Sequence, residues 1–155
     1  MWTSQILSTI QSEFSDLNDV ADLVRICIRL LVALVLGAIL GYERESSGAA
    51  AGLRTHMLVA LGSALFIVVP YNVGMSLEDI SRVLQGLTAG VGFLGAGTII
   101  KLQNQQDVKG LTTAAGLWLT AAVGVAAGMG QEATAILCTF FAIIILSVLR
   151  STKSK

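Results

Sequence analysis

Five apolar blocks, roughly Val24–Tyr42, Leu53–Tyr71, Val83–Ile100, Leu111–Ala127 and Ala133–Leu149, alternate along the chain with short polar or glycine-rich breaks. A helix needs about 20 mostly apolar residues to cross a bilayer core roughly 30 Å thick, and about 17 is the lower limit. Each block meets or approaches that length. The pattern predicts an all-α membrane protein, a compact bundle of five transmembrane helices. The breaks at 43–52, 72–82, 101–110 and 128–132 are short enough to make successive helices antiparallel. Ahead of the blocks, Trp2, Ile6, Ile10, Phe14 and Leu17 recur at helical spacing. The expected organisation is an amphipathic or flexible segment over 1–23, a transmembrane domain over 24–149 and a basic tail over 150–155.

Composition agrees. The chain is 54% hydrophobic and 13% charged, against about 45–50% and 25% for a soluble domain. Its 16 glycines lie within apolar runs and have no three-residue period, so they read as packing residues. Cys27 and Cys138 are far apart and lack nearby companion ligands, and both read as small apolar residues. No Lys or Arg precedes Arg25, while Glu13, Asp16, Asp19 and Asp22 do, so the N-terminus does not resemble a secretory signal.

The charges sum to zero, and their placement is more informative than their sum. With the N-terminus outside, Arg44, Arg54, Lys101, Lys109, Arg150, Lys153 and Lys155 all fall on the cytoplasmic side, and the outer connections hold Arg82. That asymmetry predicts an outside N-terminus and a cytoplasmic C-terminus. Arg25 and Arg29 belong to the first turns of span one, where they could snorkel to the outer interface.

Small residues crowd the third span. At about 100° per residue, Gly86, Gly90 and Gly97 share one face, while Thr88, Gly92 and Gly95 fall nearly opposite. Helices in lipid associate through close van der Waals contact, which small residues allow, so span three is expected at the bundle centre. Gly37 and Gly41 of span one, and Gly124 and Gly128 of span four, offer partner surfaces. In span four, Thr112, Thr113 and Thr120 can bond to their own helix or to a neighbour, and mid-span Trp118 is expected to find a hydrogen-bond partner inside the bundle.

Asp22, Arg25, Arg29 and Glu43 fall within a band on one face of span one. Charge near hydrocarbon is costly unless paired or wet, so this band is a candidate functional site. A second cluster, Gly52-Leu53-Arg54-Thr55-His56, enters span two about ten residues after Glu43, Arg44 and Glu45. An ion pair from Arg54 to Glu43 or Glu45 would shape the connection. Alternatively, two carboxylates with His56 would hold a hydrated divalent cation, since Mg²⁺ keeps several waters and takes only one or two carboxylates.

The run Gly37-Ala-Ile-Leu-Gly41-Tyr-Glu43-Arg44-Glu45, followed by Ala51-Gly-Leu-Arg54-Thr-His56-Met-Leu-Val-Ala-Leu-Gly62, resembles the signature of the MgtC/SapB family of bacterial inner-membrane proteins. Gly90-Val-Gly92-Phe-Leu-Gly95-Ala-Gly97 and Lys109-Gly110-Leu-Thr112-Thr113-Ala-Ala-Gly116-Leu-Trp118 resemble its third and fourth spans. The resemblance implies a multi-pass protein of the bacterial inner membrane with five spans and a cytoplasmic C-terminus, linked to magnesium homeostasis, adaptation to low Mg²⁺ and, in some members, virulence. It implies a regulator of other membrane proteins, the ATP synthase among them, although the family's older name suggests magnesium transport. The resemblance covers the membrane domain. The soluble ACT-like domain of longer members falls beyond Lys155, and activities that depend on it are not expected of this segment. Glu43, Arg44, Gly52, Arg54 and Thr55 carry over by motif position as functional candidates, beside Arg29, Glu45 and His56.

An enzyme is not expected, because the chain has no G-x-x-x-x-G-K-[ST], G-x-S-x-G or H-E-x-x-H motif and a single histidine. No cofactor is expected, and Mg²⁺ binding stays open. Two readings remain: a non-enzymatic regulator that docks against membrane proteins or a second copy of itself, and a small Mg²⁺ or cation transporter or channel. Lipid is the expected surrounding, and nucleic acid is not an expected partner.

Overall fold

A computed structural model describes residues 2–13, 15, 19–101 and 108–151. Six helices follow one another: α1 (Trp2–Glu13), α2 (Val20–Ser46), α3 (Leu53–Asn72), α4 (Leu77–Gly97), α5 (Leu111–Gly128) and α6 (Glu132–Ser151). Between α4 and α5, the two-residue strands β1 (Ile100–Lys101) and β2 (Val108–Lys109) pair antiparallel. Among the described residues the remaining elements are helices and turns, and α2, α3 and α5 are each long and apolar enough to cross a membrane. Phe14 and Leu17 of the expected amphipathic segment, and Lys153 and Lys155 of the expected tail, lie outside the described residues. Helix α1 buries none of its residues, leaving Trp2, Ile6 and Ile10 exposed.

Caps set several of these boundaries. Asp19 accepts from the Ala21 amide at the start of α2, and Ser76 accepts from the Asp79 amide at the start of α4, each satisfying an amide that has no partner within its helix. Gly110 sets the start of α5. Its φ is +94°, and a side chain there would overlap the Thr98 carbonyl, so the connection from α4 requires glycine.

The core forms where α2, α3 and α5 meet, with α6 against α2 and α5. Helix α2 contributes the stripe Arg29, Ala33, Leu36, Gly37, Leu40 and Gly41, spaced three, four or one apart so that they share one face. Across from it lie Ala60, Ala64, Val123 and Ala127. Helices approach here at backbone distance. A Cβ on Gly37 would stand 2.8 Å from the Ala60 Cβ, and one on Gly41 would stand 2.7 Å from the Leu53 Cα. At Gly124 a Cβ would overlap the Ala60 carbonyl oxygen, and at Gly128 it would stand 2.7 Å from that of Ala64.

The third apolar block behaves otherwise. Helix α4 lies at the edge of the bundle, beside α5 and in looser contact with α3, and buries only Ile80, Val91 and Gly95. Gly86, Gly90, Gly92 and Gly97 have nothing within 4 Å of an added Cβ, while Gly95 faces Ala114 at 3.4 Å. The expectation that this span forms the centre is therefore corrected. Small residues permit close approach, but they do not supply a neighbour. Trp118 is corrected too: it is 52% exposed and faces the groove between α4 and α5, not the bundle interior.

Candidate functional site

Two polar clusters stand at opposite ends of the core, both anchored on the buried stripe of α2. The first joins the end of α2 to the start of α3. Glu43 and Arg44 form an ion pair at 3.4 Å, with side chains only 13% and 11% exposed. The other carboxylate oxygen of Glu43 accepts from the Ser47 hydroxyl at 2.8 Å, so Glu43 braces the turn that ends α2. Glu45 acts one connection further on. Its Oε2 accepts the Leu53 amide at 2.7 Å, the first amide of α3, whose N-cap Gly52 has no side chain to cap the helix itself. A carboxylate there also answers the positive end of the α3 dipole. A Cβ on Gly52 would stand 2.6 Å from the same oxygen, so glycine at 52 makes room for this cap.

His56 follows one turn later and is fully buried. Its Nδ1 lies 2.8 Å from the Thr120 Oγ1, and the Thr120 hydroxyl is 2.8 Å from the Gly116 carbonyl. A hydroxyl has one proton to give. Thr120 thus links the His56 ring to the backbone of α5, and which of the two donates across the His56–Thr120 bond follows the tautomer of the ring. Nε2 has no hydrogen-bond partner among the described residues, and neither has the buried Nε of Arg44.

This geometry redistributes the predicted residues. Glu43, Glu45 and His56 were candidates to share a cation, yet each is committed to a separate partner. The described residues include no group of three or more His, Cys, Asp or Glu able to hold a metal ion. The anticipated ion pair from Arg54 to Glu43 or Glu45 is also not formed. Arg54 and Thr55 are exposed and face away from the cluster, at one end of an apolar groove beside α4.

The second cluster is built on Arg29, only 9% exposed. Its NH1 donates to the Gly128 carbonyl at 3.2 Å, in the last turn of α5. Its guanidinium lies 5.4 Å from the centre of the Tyr71 ring, at the end of α3. The last carbonyls of a helix have no partner within it and carry the negative end of its dipole. Arg29 thus caps the end of α5, rests against a ring at the end of α3 and has no carboxylate partner among the described residues. Gly130, with φ +77°, closes the turn into α6, and a Cβ there would stand 2.7 Å from the Arg29 NH2. The expected charged band on α2 therefore divides. Arg25 pairs with Asp22 at the exposed start of the helix, Arg29 turns inward, and Glu43 lies four turns away, about 21 Å along the axis.

Sequence reasoning did not identify Tyr71, Ser47, Gly130 or the pairing of Thr120 with His56. Threonine inside an apolar run was a signal for Thr120. The glycines flanking Met129 marked the turn that receives Arg29.

Apolar helices of spanning length, packed through glycine and alanine around buried charged and polar side chains, define a helical membrane protein. The MgtC family profile matches residues 30–155, and the chain belongs to that family. It is 42% identical over 137 residues to Protein SrpB of Synechococcus elongatus, an alignment covering 81% of this chain and 75% of SrpB. Over 128 residues it is 41% identical to the Putative magnesium transporter YhiD of Escherichia coli, covering 78% of this chain and 59% of YhiD. It is 38% identical over 128 residues to Protein MgtC of Salmonella typhimurium, covering 83% of this chain and 54% of MgtC. The chain thus spans little more than half the length of these last two relatives. No solved structure matches it.

Proposed function

We propose that this chain is a non-enzymatic, multi-pass protein of the bacterial inner membrane that serves magnesium homeostasis by docking against other membrane proteins. In this reading α2 to α6 are five spans, the N-terminus is outside and the C-terminus cytoplasmic. The clusters fit that orientation: Arg29, Tyr71 and Gly128 share the outer end, and Glu43, Arg44 and the start of α3 share the cytoplasmic end. The observation that carries the reading is the outward face of α4, where Gly92, Phe93 and Ala96 are exposed and nothing lies within 4 Å of a Cβ added at Gly92. Small residues facing lipid allow another transmembrane helix to approach closely. The ATP synthase is the first partner to test by crosslinking, beside a second copy of the chain.

A small Mg²⁺ or cation transporter is the second reading. Its support is the name carried by YhiD and the buried, incompletely bonded Arg29 within the first span. Divalent-cation flux into proteoliposomes, beside growth at low Mg²⁺, separates the two. Docking predicts no flux from folded protein, and growth support that Gly92→Leu abolishes at matched expression. Flux that Glu43→Gln or Arg29→Gln stops would replace docking with transport.

A further inference from the structure

Helices α3 and α4 touch only loosely and leave a trough between them. One wall presents Leu58, Gly62 and Phe66, the other Gly86, Gly90 and Leu94. Three stretches of this trough, about 460, 400 and 500 Å³, adjoin one another around Phe66 and extend to Pro70 and Val83 at the far end. The walls are almost wholly hydrocarbon, and Gly62, Gly86 and Gly90 give the trough its depth because they carry no side chains.

Its two ends differ in charge. At the α3 end stand Arg54 and Thr55, both exposed, and Arg54 has no ion pair among the described residues. Arg54 is the one charged side chain among those described as lining the trough. The first turn of α3 adds the positive end of its dipole, although Glu45 already occupies the Leu53 amide. Near the opposite end, Arg82 is paired with Glu78 at 3.5 Å and Asp79 at 3.8 Å. A transmembrane helix would meet apolar wall along the trough and would not require an unpaired cation at one mouth. An amphiphile with an anionic head and a flexible hydrocarbon tail matches both features.

We propose that the trough between α3 and α4 holds an acyl chain of an anionic phospholipid, with its phosphate at Arg54 and Thr55. Basic residues at the cytoplasmic membrane surface attract anionic headgroups, and pockets between spans on that side hold them. The role assigned here to Arg54 and Thr55 is separate from the docking face around Gly92, which lies on another side of α4.

Native mass spectrometry of the full chain released from nanodiscs of mixed phosphatidylglycerol and phosphatidylcholine tests this. The expected result is retained phosphatidylglycerol in preference to phosphatidylcholine. Arg54→Gln should reduce that preference about fivefold. Gly86→Leu and Gly90→Leu, which enter open space, should fill the trough and release either lipid, while Gly92→Leu should retain it. Circular dichroism would verify folding, and the two glycine variants carry the test if Arg54→Gln does not fold. An unchanged preference in Arg54→Gln, or lipid retained by both trough variants, would overturn the proposal. A lipid-free dimer that Gly90→Leu dissociates would also overturn it and assign the trough to a second copy of the chain.

Discussion

Helices α4 and α5 are both rich in small residues, and the bundle uses them in opposite ways. In α5, Gly124 and Gly128 lie under backbone carbonyls of α3, and the helix is surrounded by α2, α3, α4 and α6. In α4, four of five glycines look onto open space. The difference comes from the neighbours. Helix α3 presents Ala60, Ser63 and Ala64 to α5, so two slim surfaces meet, whereas toward α4 it presents Phe66 and Leu58, which hold the helices apart and open the trough. A small-residue stripe becomes a tight interface only when the facing helix is also slim.

The sharpest way to break this contrast is Gly124→Ala. Its Cβ would overlap the Ala60 carbonyl, so α3 and α5 must separate. The expected loss is about 3 kcal/mol, at the upper end for overpacking, seen as a large fall in the thermal midpoint of purified protein. Arg29→Ala comes next. It removes a charged hydrogen bond from the end of α5 and should cost about 2 kcal/mol, with faster amide exchange in the turn at 128–131. Thr120→Val leaves the His56 Nδ1 without its hydrogen-bond partner and should cost about 1 kcal/mol, within the range for hydrogen bonds between membrane helices. The smallest effect belongs to α4. Gly92→Ala should leave stability unchanged or raise it by up to about 1 kcal/mol, the helix-propensity difference between the two residues. A loss at Gly92 comparable to that at Gly124 would show that α4 is packed as α5 is.

Much of the first polar cluster was legible, because Glu43, Arg44, Glu45, Gly52 and His56 lie on one short connection, where proximity in sequence nearly ensures proximity in space. Their division of labour was not legible. Whether Glu45 caps α3 or joins a cation site depends on angles at the turn, and those are set by the contact of Gly41 with Leu53. Arg29 shows the limit more sharply. Its inward position was open from periodicity, but its acceptor, Gly128, lies 99 residues away.

The sequence by itself determined what is local and repetitive: apolar runs of membrane length, the breaks between them and the stripe along α2. Burial of apolar surface and saturation of backbone hydrogen bonds within each helix depend only on neighbouring residues. The tertiary structure alone decided which glycines are contacts and which are open surface, that Arg29 caps α5, and that Arg54 stands exposed at the mouth of an apolar trough. Those outcomes depend on the shapes of two facing helices at once, and one helix's sequence does not carry the shape of the other.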